Sequence, residues 1–220
     1  MISPLVIAID GPSGSGKSTV SRAVAQELGL RYLDTGSMYR AMTWFMLDQN
    51  VDLDDPEAIA INAKQANIVP STDPRNPGIK VGPVDVSEPI RGDQVTSGVS
   101  RVSAVPSVRT LLVDLQRNIA ASAEHGIVAE GRDIGPVVLP DASLKIFLTA
   151  DESARAARRA AENGEDVKAT QEQLATRDKA DSTRKASPLV QADDAVVVDT
   201  THMSLQEVID HIIALAKGLS

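Results

Sequence analysis

The sequence predicts an α/β fold, a parallel sheet with helices on both faces. Three observations carry that prediction. Short apolar runs alternate with longer segments of helical periodicity along the 220 residues. The runs are apolar throughout, the pattern of strands buried on both faces. The first run also leads straight into a glycine-rich turn, Gly11-Pro12-Ser13-Gly14-Ser15-Gly16-Lys17-Ser18, that opens a helix-compatible segment.

The first strand, residues 4–10, holds Leu5-Val6-Ile7-Ala8-Ile9, and a helix at 17–28 follows the turn directly. A second strand at 31–34 passes into a helix at 37–48, for which Thr35 or Ser37 is the expected cap. From 62 to 97 the rhythm breaks. Short β-type segments at 66–69, 78–81 and 84–86 stand among Pro, Gly and Asp, which reads as a small antiparallel insertion on top of the sheet. The alternation resumes with a helix at 105–123 and strands at 127–130 and 144–149. Helices at 151–163 and 171–179, a strand at 195–199 and a helix at 205–217 complete it. No internal repeat or low-complexity tract divides the chain, so residues 1–220 read as one domain.

Composition excludes several classes of function. The chain has no cysteine, hence no disulfide framework, zinc knuckle or thiol nucleophile. His125, His202 and His211 lack metal-ligand spacing and suit surface or helix-end positions. The N-terminal apolar run is short and has no basic leader, and no run approaches a membrane span, so a cytoplasmic setting is expected. A net charge of −8 and an aromatic content of 2% argue against a nucleic-acid polymer as partner. Yet 14 of the 22 basic residues are arginine, whose planar fork suits phosphate contacts.

The glycine-rich turn is a complete G-x-x-x-x-G-K-[ST] P-loop in the strand–turn–helix setting the motif requires. Its glycines let backbone N–H groups converge on one concavity, and the following helix adds its positive dipole end. The phosphate-binding candidates are Gly11, Pro12, Ser13, Gly14, Ser15, Gly16, Lys17, Ser18 and Thr19. Lys17 is placed to bridge β- and γ-phosphate oxygens, and the Ser18 hydroxyl to ligate Mg²⁺. The chain is expected to bind a nucleoside triphosphate.

Four further clusters carry chemistry. Asp34-Thr35-Gly36-Ser37-Met38-Tyr39-Arg40 closes the second strand and would put Arg40 on a first helical turn, facing the sheet edge where ligands bind. Glu130-Gly131-Arg132-Asp133-Ile134-Gly135 sets charges directly after a buried strand, where packing rarely wants them. Ser100 and Arg109 approach and enter a helix, and a lone arginine there suits solvent as well as a site. Arg155, Arg158 and Arg159 share one helical face, with Arg177, Asp181 and Arg184 following and Pro188 ending the segment. That face suits a salt-bridged surface helix, with Asp151 and Glu162 four residues from Arg155 and Arg158. It also suits a mobile lid that closes arginines over a transferring phosphoryl group, with Gly164 as its corner, and the lid is the reading taken. Neither this segment nor the insertion carries enough apolar residues to be locked onto the core.

Five segments together, DGPSGSGKST from residue 10, DTGSMYR from 34, EPIRGDQV from 88, EGRDIG from 130 and the RD-x-x-D-x-x-R run, resemble those of bacterial cytidylate kinases, within the P-loop nucleoside monophosphate kinases. The resemblance spans nearly the whole chain. It implies a five-stranded parallel sheet, a monophosphate-binding insertion at about 62–97 and a helical lid at about 151–187. It implies transfer of the γ-phosphoryl group of ATP to CMP or dCMP, with Mg²⁺ accompanying ATP. By the same resemblance, Ser100, Arg109 and Asp133 read cytosine, and Arg40, Arg132 and Arg184 grip the monophosphate with Thr35 and Tyr39 lining the pocket. Arg177 and Asp181 meet the sugar. Lys17, Arg132, Arg155 and Arg159 stabilise the transferring group, and Arg158 joins the triphosphate contacts. Chemistry agrees with the base-reading set, because cytosine's exocyclic amine needs an acceptor where uracil would present a carbonyl. The expected partners are small molecules, with no nucleic acid polymer and no membrane, and a monomer is the default.

Two other readings fit less well. A shikimate- or gluconate-type kinase would share the P-loop and lid but has little use for the large insertion. A GTP-dependent switch needs N/T-K-x-D and D-x-x-G. The sole Lys-x-Asp here, Lys179-Ala180-Asp181, is preceded by Asp178, and no Asp has Gly three positions on.

Overall fold

Strand β1 (Leu5–Asp10) decides the layering. Its alternation sends Ile7 and Ile9 into one buried cluster and Ala8 into another, so helices must cover both sides of the sheet. The structure, a computed structural model, describes residues 4–164, 166–183 and 189–219, without the side chains of Glu162, Asn163, Arg177, Ala180 and Asp181.

In chain order, β1 is followed by α1 (Lys17–Leu28), β2 (Arg31–Asp34), α2 (Thr35–Asp48) and α3 (Pro56–Ala63). The short strands β3 (Ile68–Pro70), β4 (Ile79–Val81) and β5 (Val84–Asp85) come next, then a 3-10 turn at Pro89–Arg91, α4 (Asp93–Ser103) and α5 (Pro106–Ala121). Strand β6 (Gly126–Gly131), a π-type turn at Ile134–Val138, β7 (Leu144–Thr149), α6 (Glu152–Asn163), α7 (Val167–Thr183), β8 (Val196–Asp199) and α8 (Leu205–Lys217) complete the order.

The main sheet is parallel, in the order β2-β6-β1-β7-β8. Helices α1 and α8 cover the Ile7 and Ile9 side through Val20, Val24, Val208 and Ile212. Helices α2 and α5 cover the other side through Met38, Met42, Val108 and Leu112. Register sets Asp10 opposite Gly131 and Asp34 opposite Glu130. Three strands thus deliver acidic residues to one carboxyl-end edge, where open α/β sheets bind ligands.

Several expectations need correction. Helix α2 begins at Thr35, not Ser37, because Asp34 is its cap: the Asp34 carboxylate accepts from the Ser37 N–H at 2.9 Å. Arg40 consequently sits on the second turn. The expected helix at 105–123 begins at Pro106, and α4 precedes it as a separate helix inside the stretch read as β-rich and loop. Helix α3 is also new, although Asp55 caps it from the Glu57 and Ala58 N–H groups and Pro56 occupies its first turn, both legible start signals. Helix α7 is longer than the 171–179 expected.

The insertion is a three-stranded antiparallel sheet in the order β3-β4-β5. It is not loosely attached. Ile68, Ile79, Val81 and Val86, with Ile90 and Val95 just beyond, are buried in the same cluster as Met38 and Met42. The loop after β3 is also tied down, as the Thr72 carbonyl accepts from the Tyr32 N–H and the Pro74 carbonyl from Gln26, at 3.0 and 2.9 Å. The lid helices differ. Among the described residues their buried apolar side chains are Ala156, Ala160 and Leu174, and none belongs to either core cluster.

Candidate functional site

The P-loop connects β1 to α1 and cannot be built with side chains at its glycines. Gly11 has φ +151°, and a Cβ there would lie 2.1 Å from the Leu148 carbonyl oxygen. Gly14 has φ +75° and backs onto Arg155, whose carbonyl oxygen would be 2.9 Å from an added Cβ. Gly16 caps α1 without any side-chain acceptor on the first-turn N–H groups, leaving a positive end for an anion. Lys17 Nζ curls over the loop and donates to the carbonyls of Gly11 and Pro12 at 2.8 and 2.7 Å.

Beneath the loop lies a layer of carboxylates. Burial pushes Asp10 up to about 6, against the N–H groups of Gly135 and Ile134 that favour its charged form, both at 2.7 Å. Those bonds tie the end of β1 to the turn that follows Arg132 and Asp133. Burial, with the Asp34 carboxylate beside it, pushes Glu130 up to about 7, while Lys17 and the Tyr32 and Ser18 hydroxyls favour its ionised form. Asp34 is raised by burial too, against the Ser37 N–H, Arg40, Arg91 and Lys17. The Tyr32 hydroxyl donates to Glu130 and is itself held far above the ordinary phenol range by burial and that carboxylate. Thr35 Oγ1 donates to the Glu130 carbonyl at 2.7 Å, which is a packing role at the pocket floor.

Above the carboxylates lies a layer of arginines. Arg40 is pulled below its usual range by burial and by Arg159, Arg91 and Arg132 nearby, with Asp34 opposing. Cations gathered so closely make sense only where an anion is meant to sit. Arg40 Nη1 is aimed by the Ile90 carbonyl and Thr96 Oγ1, each at 3.0 Å. Arg91, exposed on the 3-10 turn, is a member that sequence reasoning left out of the site, although it lies within EPIRGDQV.

The three arginines of α6 share a helical face but not a destination. Arg155 is buried against the P-loop and donates to the carbonyls of Ala150 and Ser13 at 3.2 and 3.0 Å. Arg158 donates to Oγ1 and the carbonyl of Thr200 at 2.9 and 2.6 Å, beyond the end of β8. Only Arg159 approaches Arg40. Arg184 lies outside the described residues, as do the side chains of Arg177 and Asp181.

At the other end of the crevice Arg109 and Asp133 form a salt bridge, each only 5% exposed. The Arg109 guanidinium stands 5.3 Å from the centroid of the Tyr39 ring. Ser100, half-buried on α4, precedes the break between α4 and α5 that sets Arg109 on the first turn of α5. A carboxylate, a guanidinium and a ring thus meet from the turn after β6, α5 and α2.

A sequence model of the family described as cytidylate kinase matches residues 7–218. The chain belongs to the cytidylate kinase family. The cytidylate kinase of Streptomyces griseus subsp. griseus is 60% identical over 217 residues, covering 98% of this chain and 94% of the relative. That of Nocardia farcinica is 54% identical over 214 residues, covering 95% and 92%. Among solved structures, a gluconokinase from Sinorhizobium meliloti 1021 aligns with a TM-score of 0.55 at 16% identity, over 98% of this chain and 93% of that one. An uncharacterized protein from Eubacterium ventriosum aligns at 0.53 and 14% identity over 97% and 98%. At such identities these two share the fold alone.

Proposed function

We propose that the chain transfers the γ-phosphoryl group of ATP to the phosphate of CMP or dCMP, giving ADP and the diphosphate. The single observation that carries this reading is the buried Arg109–Asp133 pair beside Tyr39, with Asp133 next in the chain to Arg132 and on the turn bonded to Asp10 just before the P-loop. A small-metabolite kinase of the same fold has no use for such a pair. Asp133 accepts from the exocyclic amine of cytosine, with Ser100 and Arg109 completing the edge, and a uracil carbonyl would face that acceptor. Arg40, Arg132 and Arg184 grip the acceptor phosphate, and Arg177 and Asp181 meet the sugar.

The acceptor is already an anion, so the reaction needs no general base. Catalysis is alignment and charge neutralisation in an in-line displacement. Lys17 and the P-loop N–H groups hold the donor. Arg132, Arg155 and Arg159 meet the charge that spreads over the transferring group, while Arg158 would have to leave its Thr200 partners to join the triphosphate contacts. Mg²⁺ fits the donor set: the Ser18 hydroxyl and the carboxylates of Glu130 and Asp34 are hard oxygen ligands crowded into one desolvated site. Among the described residues no three His, Cys, Asp or Glu side chains form a cage of their own, which suits an ion shared with phosphates. When bound, the ion neutralises charge on the β- and γ-oxygens.

We further propose a monomer working in the cytoplasm. No helix among the described residues is long and apolar enough to cross a membrane. The large exposed apolar side chains are scattered, for example Ile61 on α3, Val84 on β5 and Leu205 on α8. The test of the activity is an ADP-release assay with ATP against CMP, dCMP, UMP, AMP, GMP, gluconate and shikimate. CMP and dCMP should dominate, and preference for a sugar acid or for AMP would overturn the reading.

A further inference from the structure

The reaction described above needs no carboxylate at the phosphates, yet α7 places one there. Asp178 Oδ1 accepts from the Ser13 N–H of the P-loop at 3.4 Å and lies 3.5 Å from Arg132 Nη1. Its Oδ2 lies 2.5 Å from Arg155 Nη1. Four chain segments therefore meet at one side chain: the P-loop, the turn after β6, α6 and α7. The three partners are shielded, with 18% of the Asp178 side chain exposed and 16% and 10% of those of Arg132 and Arg155. A shielded carboxylate persists only when its charge is met, and here two guanidinium groups from opposite sides meet it.

The two arginines come from different elements. Arg155 bonds the Ala150 and Ser13 carbonyls from α6, and Arg132 follows the last residue of β6, near Arg40. A carboxylate joining the two fixes one relative to the other. We propose that Asp178 is a positioning residue: it yokes Arg132, on the acceptor side, to Arg155, on the donor side, so that donor and acceptor phosphates are gripped in one frame. This proposal rests on the phosphate-gripping roles given above to Arg132 and Arg155.

The test uses the full-length protein with Asp178→Asn and Asp178→Glu, in steady-state turnover of ATP with CMP. Asp178→Asn should lower kcat by about ten- to a hundredfold, less than the loss of a donor that touches the transferring group because Asp178 acts only through the arginines, with both KM values within about threefold. Asp178→Glu, which keeps the charge, should recover part of kcat. In an Arg155→Ala background, Asp178→Asn should change kcat by less than about twofold, because the yoke already lacks an end. An ion pair that merely supports the fold would instead lower the melting temperature, or raise KM, with kcat unchanged. That result, or independent losses in the double variant, would overturn the proposal. A separate measurement keeps it independent of the substrate: NMR exchange of the Arg155 Nη–H protons in the ligand-free protein should be at least about tenfold faster in Asp178→Asn, the factor matched by loss of a charge-assisted bond, while the Nε–H bonded to the Ala150 carbonyl serves as internal reference. Unchanged exchange would overturn the yoke. Wild-type protein that ignores CMP but shows this acceleration would instead overturn the substrate reading and leave the yoke standing.

Discussion

Asp133→Ala separates base recognition from everything else the crevice does. The structure leaves Arg109 no route to water: it is 5% exposed, stacked near Tyr39 and salt-bridged to Asp133 alone among the carboxylates of the described residues. Removing one partner of a buried pair strands the other charge and costs about 3–5 kcal/mol. The cation–π contact with Tyr39 is present before and after the substitution, so it offsets none of that cost. For a chain of this size, roughly 2–4 °C of melting temperature is lost per kcal/mol, so the midpoint should fall by roughly 6–20 °C. Function changes by a different amount. Losing the carboxylate removes one hydrogen bond to the exocyclic amine, about 1.5–3 kcal/mol, or roughly ten- to 150-fold in kcat/KM for CMP. UMP, which never used that acceptor, should be unchanged or better, so the CMP-to-UMP ratio collapses. Replacing both partners, Arg109→Met with Asp133→Leu, should restore most of the melting temperature without restoring CMP selectivity. Thermal melts and competition kinetics on the three proteins decide it. A single variant that melts like wild type, or one that keeps the full CMP preference, would refute the reasoning.

Other expectations follow from the same geometry. Lys17→Ala should reduce kcat by about a thousandfold with little change in melting temperature, since the side chain lies along the loop surface; near-normal turnover would remove this loop from the chemistry. Asp10, pushed up to about 6 by burial, binds its proton more tightly folded than unfolded, so its contribution to stability is present below about pH 4 and lost as pH rises to about 6, on the order of 3 kcal/mol. Denaturant midpoints across that range should fall in the wild type and flatten in Asp10→Asn, and parallel profiles would mean that folded Asp10 is already ionised at pH 4. Hydrogen exchange should find the insertion amides of Val81 and Val86 slow without ligand and those of α7 slow only with ATP, because the former back onto Met38 and Met42 and the latter do not; equal protection would sink that distinction.

Much of this was legible in the residues, for physical reasons. The P-loop is local: strand, turn and helix are contiguous, and the positive φ angles demand glycine at 11, 14 and 16. The pairing of Arg109 with Asp133 was legible only through resemblance, since nothing in spacing says that these residues, 24 apart, share a salt bridge. Helix α4 was missed because its Val and Thr residues carry β propensity that tertiary packing overrides, and α3 was missed although Asp55-Pro56 was a start signal in plain view. The insertion's apolar residues were too few to look like a core until the fold set Ile68, Ile79 and Val81 against α2. The divergence of Arg155, Arg158 and Arg159 could not be read from helical spacing, which places side chains on a face but does not say what each meets.

Asp10, Asp34 and Glu130 would be a poor choice of residues if the site only had to attract anions. Their placement makes sense in two layers. Strand register puts the carboxylates at the sheet edge, and helices, turns and the insertion hang arginines above them. Without substrate the lower layer restrains the upper one, with Asp34 opposing the mutual repulsion around Arg40. On the proposed reaction, phosphates bound among the arginines would take over part of that role. An acidic chain thereby holds a strongly basic crevice without collapsing it, and the raised proton affinity of Glu130 reflects a site built to have its charge shared rather than buried alone.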